Sequence, residues 1–342
     1  MQSQFIQDLI KPYRTISIIG LEKNVGKTTT LNDLIRQTWQ ISPIGLTSIG
    51  RDGEKIDTFF NNPKPRIYIK KGSFFATSRE LLNRCDVTKE ILETTGINTP
   101  LGEIVLIRAL SNGYVELAGP SQTRYLADIC HSLLTYGSQY VFVDGAISRK
   151  TLAAPTITDA TIIATGAAVH INMDEVIQKT VHLVKLLTWP QIEDPQIIDK
   201  IQTIPRIGII DNSYNLQILD IPTTLHSIQQ ILPYLSENTH YLIVKGVITD
   251  EFLEVLMKQC SNYSNFTIII EDGTKLFLSE QTINKFEKTG GKLKVIREIR
   301  VLYITINPKS PDGNDFDPSQ FLDALRLSLS IPIINLCIGG NQ

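Results

Sequence analysis

The chain has 342 residues, 42% of them hydrophobic and 20% charged, with 33 Lys and Arg set against 35 Asp and Glu. This is the composition of an ordinary globular protein, and the length predicts two domains. A formal net charge of −2 without a Lys/Arg cluster speaks against a nucleic-acid partner held by phosphate electrostatics. No uninterrupted apolar run is long enough to span a bilayer, so no membrane partner is expected. Met1 to Lys11 has neither the basic start and apolar middle of a signal peptide nor a cleavage site, which predicts a cytoplasmic protein. Cys85, Cys130, Cys260 and Cys337 lie far apart and form no C-x-x-C pair, so buried free thiols are expected rather than a zinc or redox site.

Phe5, Ile6, Leu9 and Ile10 fit one face of a short helix that Pro12 ends. The apolar run of Ile16, Ile18 and Ile19 then enters a polar turn, and the chain leaves it with Leu31, Leu34 and Ile35 at helical spacing. A strand–loop–helix of this kind presents backbone N–H groups and the positive end of a helix dipole, and phosphate is the usual occupant. Gly26-Lys27-Thr28 is the core of a Walker A motif. Lys23, Asn24, Val25, Gly26, Lys27, Thr28 and Thr29 are the candidate phosphate-binding residues, with Lys27 reaching the β/γ-phosphates and the Thr28 hydroxyl binding Mg²⁺. One departure stands out: the motif wants a glycine five residues before Gly26, where Leu21 stands, with Gly20 one residue earlier.

Ile44 to Gly50 reads as a second strand that opens into Arg51-Asp-Gly-Glu-Lys55. Asp52 and Glu54 at that strand's carboxyl end are candidates for Mg²⁺ or for positioning water, and a solvated turn is an equal reading. Arg66 to Ile69 is expected as a short strand, Ser78 to Arg84 as the start of a helix region, and Ile91 and Leu92 continue the helical spacing. Glu103–Arg108 and Tyr114–Ala118, joined by Ser111-Asn-Gly113, predict a hairpin. A helix with Leu126, Ile129, Cys130 and Leu133 at core spacing follows.

Tyr140-Val-Phe-Val-Asp144 has the form of a Walker B strand, whose terminal carboxylate, Asp144, would hold Mg²⁺ directly or through water. Arg149 and Lys150, just beyond it, could contact phosphate or a second substrate, and a surface pair is the safer reading. Thr158 to Gly166 supplies a further strand, and Thr165 and Gly166 are weak candidates for bordering a base. A helix follows from Asn172 and ends at Trp189-Pro190. The five histidines lack partners at metal-ligand spacing.

The polar, proline-containing stretch of residues 191–205 predicts a domain boundary. The expected organisation is a phosphate-loop nucleotide-binding domain over residues 1–190, with a mostly parallel sheet, and a second α/β domain over 206–342. The strand-like segments of the latter are Arg206–Ile210, Tyr241–Val244, Phe266–Ile270 and Val301–Ile306.

Glu22-Lys-Asn-Val-Gly-Lys-Thr-Thr29 resembles the variant phosphate loops of the P-loop NTPase class that includes dethiobiotin synthetase, cobyric acid synthetase and the molybdopterin-guanine dinucleotide adaptor protein. Val143-Asp-Gly-Ala146 looks like the Val-Glu-Gly-Ala stretch of the synthetases, with Asp144 where their Mg²⁺-binding glutamate stands. A closer likeness joins Gly20 to Thr29, Ser48 to Glu54, Val115 to Pro120, Val143 to Ala146 and Ala164 to Ala167. In these stretches the chain is similar to the nucleotide-binding reactivation subunit of adenosylcobalamin-dependent lysine 5,6-aminomutase. The resemblance implies an ATPase that binds ATP and Mg²⁺ through Lys27, Thr28 and Asp144, with Asp52 on the metal or the attacking water. It also implies an aminomutase and a companion ATPase subunit as partners, and it is compatible with a homo-oligomer. The rival expectation is an ATP-dependent small-molecule ligase or kinase of the dethiobiotin synthetase sort. The Asn/Thr-Lys-x-Asp signature of many GTPases is absent, which tilts the nucleotide to ATP.

Overall fold

The computed structural model describes residues 2–41, 43–49, 66–120, 122–145 and 150–336. The chain divides into two compact units, one formed by Met1–Val181 with Arg300–Gln342 and the other by His182–Ile299.

In the first unit helix α1 (Gln2–Ile10) precedes β1 (Thr15–Gly20), α2 (Lys27–Gln37), β2 (Ile44–Ser48), β3 (Ile67–Ile69) and β4 (Phe74–Ser78). The chain continues with β5 (Lys89–Thr99), β6 (Gly102–Ala109), β7 (Gly113–Val115), α3 (Arg124–Thr135), β8 (Tyr140–Asp144), β9 (Ala160–Gly166) and α4 (Met173–Leu187), whose last turns belong to the second unit. Nine strands make one sheet in the order β18-β17-β9-β1-β8-β2-β4-β6-β5, where β17 (Val301–Asn307) and β18 (Ile333–Asn335) return from the end of the chain with α9 (Pro318–Ser328) between them. Every pairing from β18 to β4 is parallel, and β6 and β5 add an antiparallel edge.

Parallel strands covered on both faces need apolar residues on both, and β1, β2, β4 and β9 are buried throughout. On one face Ile6 and Ile10 of α1 and Leu31, Leu34 and Ile35 of α2 join Ile16, Ile18, Leu46, Phe75, Phe142 and Ile162 in a single core. Elsewhere α3 buries Leu126, Ile129, Cys130 and Leu133, at the spacing the sequence predicts.

The second unit holds α5 (Pro195–Thr203), β10 (Ile207–Asp211), β11 (Leu216–Leu219), α6 (Ile228–Ile231), β12 (Thr239–Val244), β13 (Ile248–Thr249), α7 (Asp250–Gln259), β14 (Thr267–Ile270), β15 (Leu276–Phe277), α8 (Glu280–Lys288) and β16 (Lys292–Val295). Its five-stranded sheet runs β11-β10-β12-β14-β16. The β12, β14 and β16 strands are parallel, and β10 is antiparallel to both its neighbours. The protein is therefore mixed α/β, with its larger sheet mostly parallel.

Five expectations are corrected. The boundary is discontinuous: residues 300–342 belong with the first unit rather than with a domain over 206–342, because β17 inserts beside β9. The expected linker contains α5, started by Pro195 at its first turn and by Asp194, whose side chain accepts from the Gln196 N–H at 2.9 Å. Residues 89–99 form a strand, not a helix; the β-branched residues of Ile91-Leu-Glu-Thr-Thr-Gly-Ile-Asn-Thr99 outweigh the helical spacing. Arg79–Arg84 is a 3-10 segment. The hairpin through Asn112-Gly113 does not form: β6 pairs with β4 and β5, and β7 pairs with β3. Gly113 lacks the positive φ that such a turn requires, and the Asn112 side chain instead accepts from the Lys71 N–H at 2.8 Å.

Candidate functional site

The sheet places β1 between β8 and β9, so the loop that leaves β1 has a neighbouring strand end on either side. Register sets Ile18 opposite Asp144 on β8, and Asp144 opposite Ser48 on β2. The carboxylate thus stands at the carboxyl edge of the sheet beside the β1 to α2 loop, where open α/β sheets bind ligands.

The loop's conformation is specific. Asn24 has φ 59° and Gly26 φ 90°, left-handed backbone on either side of Val25, which is buried. Asn tolerates this region better than most residues, and Gly takes it without a Cβ penalty. Gly26 is the N-cap of α2 and has no side chain to satisfy the first-turn N–H groups. A helix start of this kind, with the positive end of its dipole, is a place where an anion can be held. The displaced glycine of the motif also has a physical reason. A Cβ on Gly20 would lie 2.8 Å from both Lys27 Cδ and Val25 Cγ2, so the close approach needing glycine falls at position 20, and Leu21 is free to carry a side chain.

Lys27 opens α2 and folds back over this loop, its Nζ donating to the Glu22 carbonyl at 2.6 Å. Burial pushes its ammonium below the ordinary lysine range, and the carboxylates of Asp144 and Glu22 oppose that shift. The opposing pull of Asp144 means that the two sequence-predicted residues share one electrostatic environment. Thr28 follows in the first turn of α2, half-buried, and Lys23 and Thr29 are exposed. Asp52, Glu54, Ala146 and Arg149 lie outside the described residues. Thr165 turns its hydroxyl to Thr180 of α4 at 2.9 Å and is fully buried, so it supports the β9 to α4 connection and does not line an open site.

The sequence reading misses the contribution of the returning strand β17. Asn307 at its carboxyl end donates through Nδ2 to the Asn24 carbonyl at 2.9 Å, and its own carbonyl accepts from the Ala167 N–H at 2.9 Å. Thr305, also on β17, shares a 2.8 Å hydroxyl contact with Thr30 of α2. An asparagine ending an apolar strand is the only sequence signal, and it carries no information about which sheet the strand joins.

Among the described residues no three His, Cys, Asp or Glu side chains gather as a metal-ligand group, and no helix is long and apolar enough to cross a membrane. Compared with protein-family models, with curated proteins and with solved structures, the chain has no match in any of the three.

Proposed function

We propose that the first unit is a P-loop nucleotide-binding domain that binds and hydrolyses ATP with Mg²⁺. The observation that carries this reading is the β1 to α2 loop: left-handed backbone at Asn24 and Gly26, a helix start without a side-chain cap, and Lys27 folded back onto the Glu22 carbonyl. Backbone N–H groups from Lys23 to Thr29 and the Lys27 ammonium would hold the phosphates, since phosphoryl transfer needs positioning and charge neutralisation more than covalent chemistry. The Thr28 hydroxyl and the Asp144 carboxylate suit Mg²⁺, which takes few protein ligands and keeps several waters. Bound there, the ion would neutralise charge on the transferring phosphoryl group. Asp52 is proposed for the metal or the attacking water.

The resemblance in five separated stretches favours one use of this turnover: reactivating an adenosylcobalamin-dependent aminomutase together with a companion ATPase. A reactivator couples its nucleotide state to its client, so ATP and client must alter each other's affinity by the same factor. The test is mutase activity after inactivation, with fresh adenosylcobalamin and ATP, with and without this protein. Recovery that requires the protein and fails with Lys27→Ala supports the reading. Equal recovery in both arms contradicts it and leaves the ATP-dependent small-molecule ligase or kinase, whose turnover depends on a second substrate and not on another protein.

A further inference from the structure

Asn24 holds left-handed backbone at φ 59°, a conformation that costs a non-glycine residue free energy and persists only where surrounding structure fixes it. Its side chain is exposed, and Glu22 and Lys23 on the same loop are exposed as well. The element that fixes it comes from far along the chain. Asn307 Nδ2 donates to the Asn24 carbonyl at 2.9 Å, across 283 positions of sequence. The orientation of that amide is set by its other end, because Asn307 Oδ1 accepts from the Lys309 N–H at 3.2 Å. The side chain also packs against the next left-handed residue: a Cβ on Gly26 would lie 3.4 Å from Asn307 Cβ. Asn307 itself ends a strand anchored on both sides, by pairing with β9 and with β18.

We infer that Asn307 is a positioning residue for the phosphate loop, an inference that rests on the nucleotide reading above. By holding the Asn24 carbonyl, it keeps the backbone turned so that the N–H groups of the following residues converge on one point above α2. It acts through the loop, on phosphate. The sequence departure at Leu21 gives this tether its place. The glycine nearest the loop's first turn is Gly20, which belongs to β1, so the left-handed turn at Asn24 rests on a contact from β17.

The test compares the parent protein with Asn307→Ala by titration calorimetry against two probes, Mg-ATP and inorganic triphosphate with Mg²⁺. A tether acting on the loop lowers affinity for both probes by the same factor, about tenfold, which corresponds to about 1.4 kcal/mol. Because the amide is at the surface, the melting temperature of the nucleotide-free protein should stay within a few degrees. Should Asn307→Ala fail to fold, Asn307→Leu, close in shape and uncharged, carries the same expectation, since it has no amide to donate to the Asn24 carbonyl. Unchanged affinity for both probes overturns the inference. So does a loss confined to ATP, which would make Asn307 a contact to the nucleoside and not a support of the loop. A parent protein that binds neither probe overturns the nucleotide reading itself, and the inference with it.

Discussion

The Lys27 ammonium donates to the Glu22 carbonyl, 2.6 Å away in the loop it follows, and the Asp144 carboxylate opposes the downward pKa shift that burial imposes on it. A phosphate bound as proposed would compete for this same ammonium. On the proposed nucleotide reading the bond to Glu22 would be a local holding position, and relief of the burial-imposed cost on pairing with a phosphate would favour the ligand.

The first prediction follows from the lowered Lys27 pKa, caused by burial and opposed by Asp144 and Glu22. Between that lowered value and the ordinary 10.5 the unfolded chain binds more protons than the folded one, so this group's contribution to stability rises with pH through the window. Below the window the charged, buried lysine destabilises the fold in full. Lys27→Met should therefore be more stable than the nucleotide-free parent in denaturant titrations at pH 7, with the difference shrinking toward pH 10. A difference that widens with pH would contradict the burial assignment.

A second prediction concerns Asp144. On the proposed metal-side reading it can be replaced by Asn with little change of volume, so Asp144→Asn should fold normally. Turnover should drop on the order of a hundredfold, the scale of losing one charge-stabilising group at a reacting phosphate, and the Mg²⁺ requirement should rise. Full activity at an unchanged Mg²⁺ optimum would reduce Asp144 to an ordinary strand terminus.

Gly119 gives a prediction about the carboxyl edge of the sheet. A Cβ there would lie 1.4 Å from the Ser48 carbonyl oxygen, a backbone atom that cannot swing aside. Because Ser48 is paired in register with Asp144, relief of the clash displaces the strand that flanks the candidate metal residue. Gly119→Ala should destabilise the protein by about 3 kcal/mol or more, in the range of core overpacking and strain. A melting temperature within a degree of the parent would show that the crossing segment yields at no cost.

The discontinuous first unit predicts the effect of shortening the chain. Ending it after Ile299 removes β17 and β18 and the buried side chains of Leu302, Tyr303, Ile304 and Ile306. At roughly 1.5–3 kcal/mol for each fully buried apolar side chain, the loss is on the order of 6 kcal/mol or more, comparable to the whole stability of a domain. The shortened protein should lose nucleotide binding and show exchange of β1 and β9 amides. Retained binding would mean that the returning strands are dispensable.

Local signals in the sequence were sufficient for the strand–loop–helix around Lys27, the strand ending at Asp144 and the core stripe of α3, because each depends on residues within a few turns of one another. The partner of a strand is a different kind of information. Val301–Ile306 reads as a strand from its own residues, yet its place beside β9 is decided by packing over more than a hundred positions. For the same reason the Asn307 contact to Asn24 cannot be read from the sequence, which suggests one boundary where the chain crosses between units twice. The Asn112-Gly113 hairpin failed likewise: a favourable turn dipeptide lost to the four consecutive buried residues Ile104–Ile107, which take strand neighbours on both sides.

Titration calorimetry of the purified protein with Mg-ATP, beside Lys27→Ala, tests the central claim most directly. The account predicts saturable binding by the parent and a loss of at least about a hundredfold in the variant, or about 2.7 kcal/mol, together with loss of the nucleotide-induced rise in melting temperature. Equal affinity in the two proteins, or no binding by the parent, would contradict it.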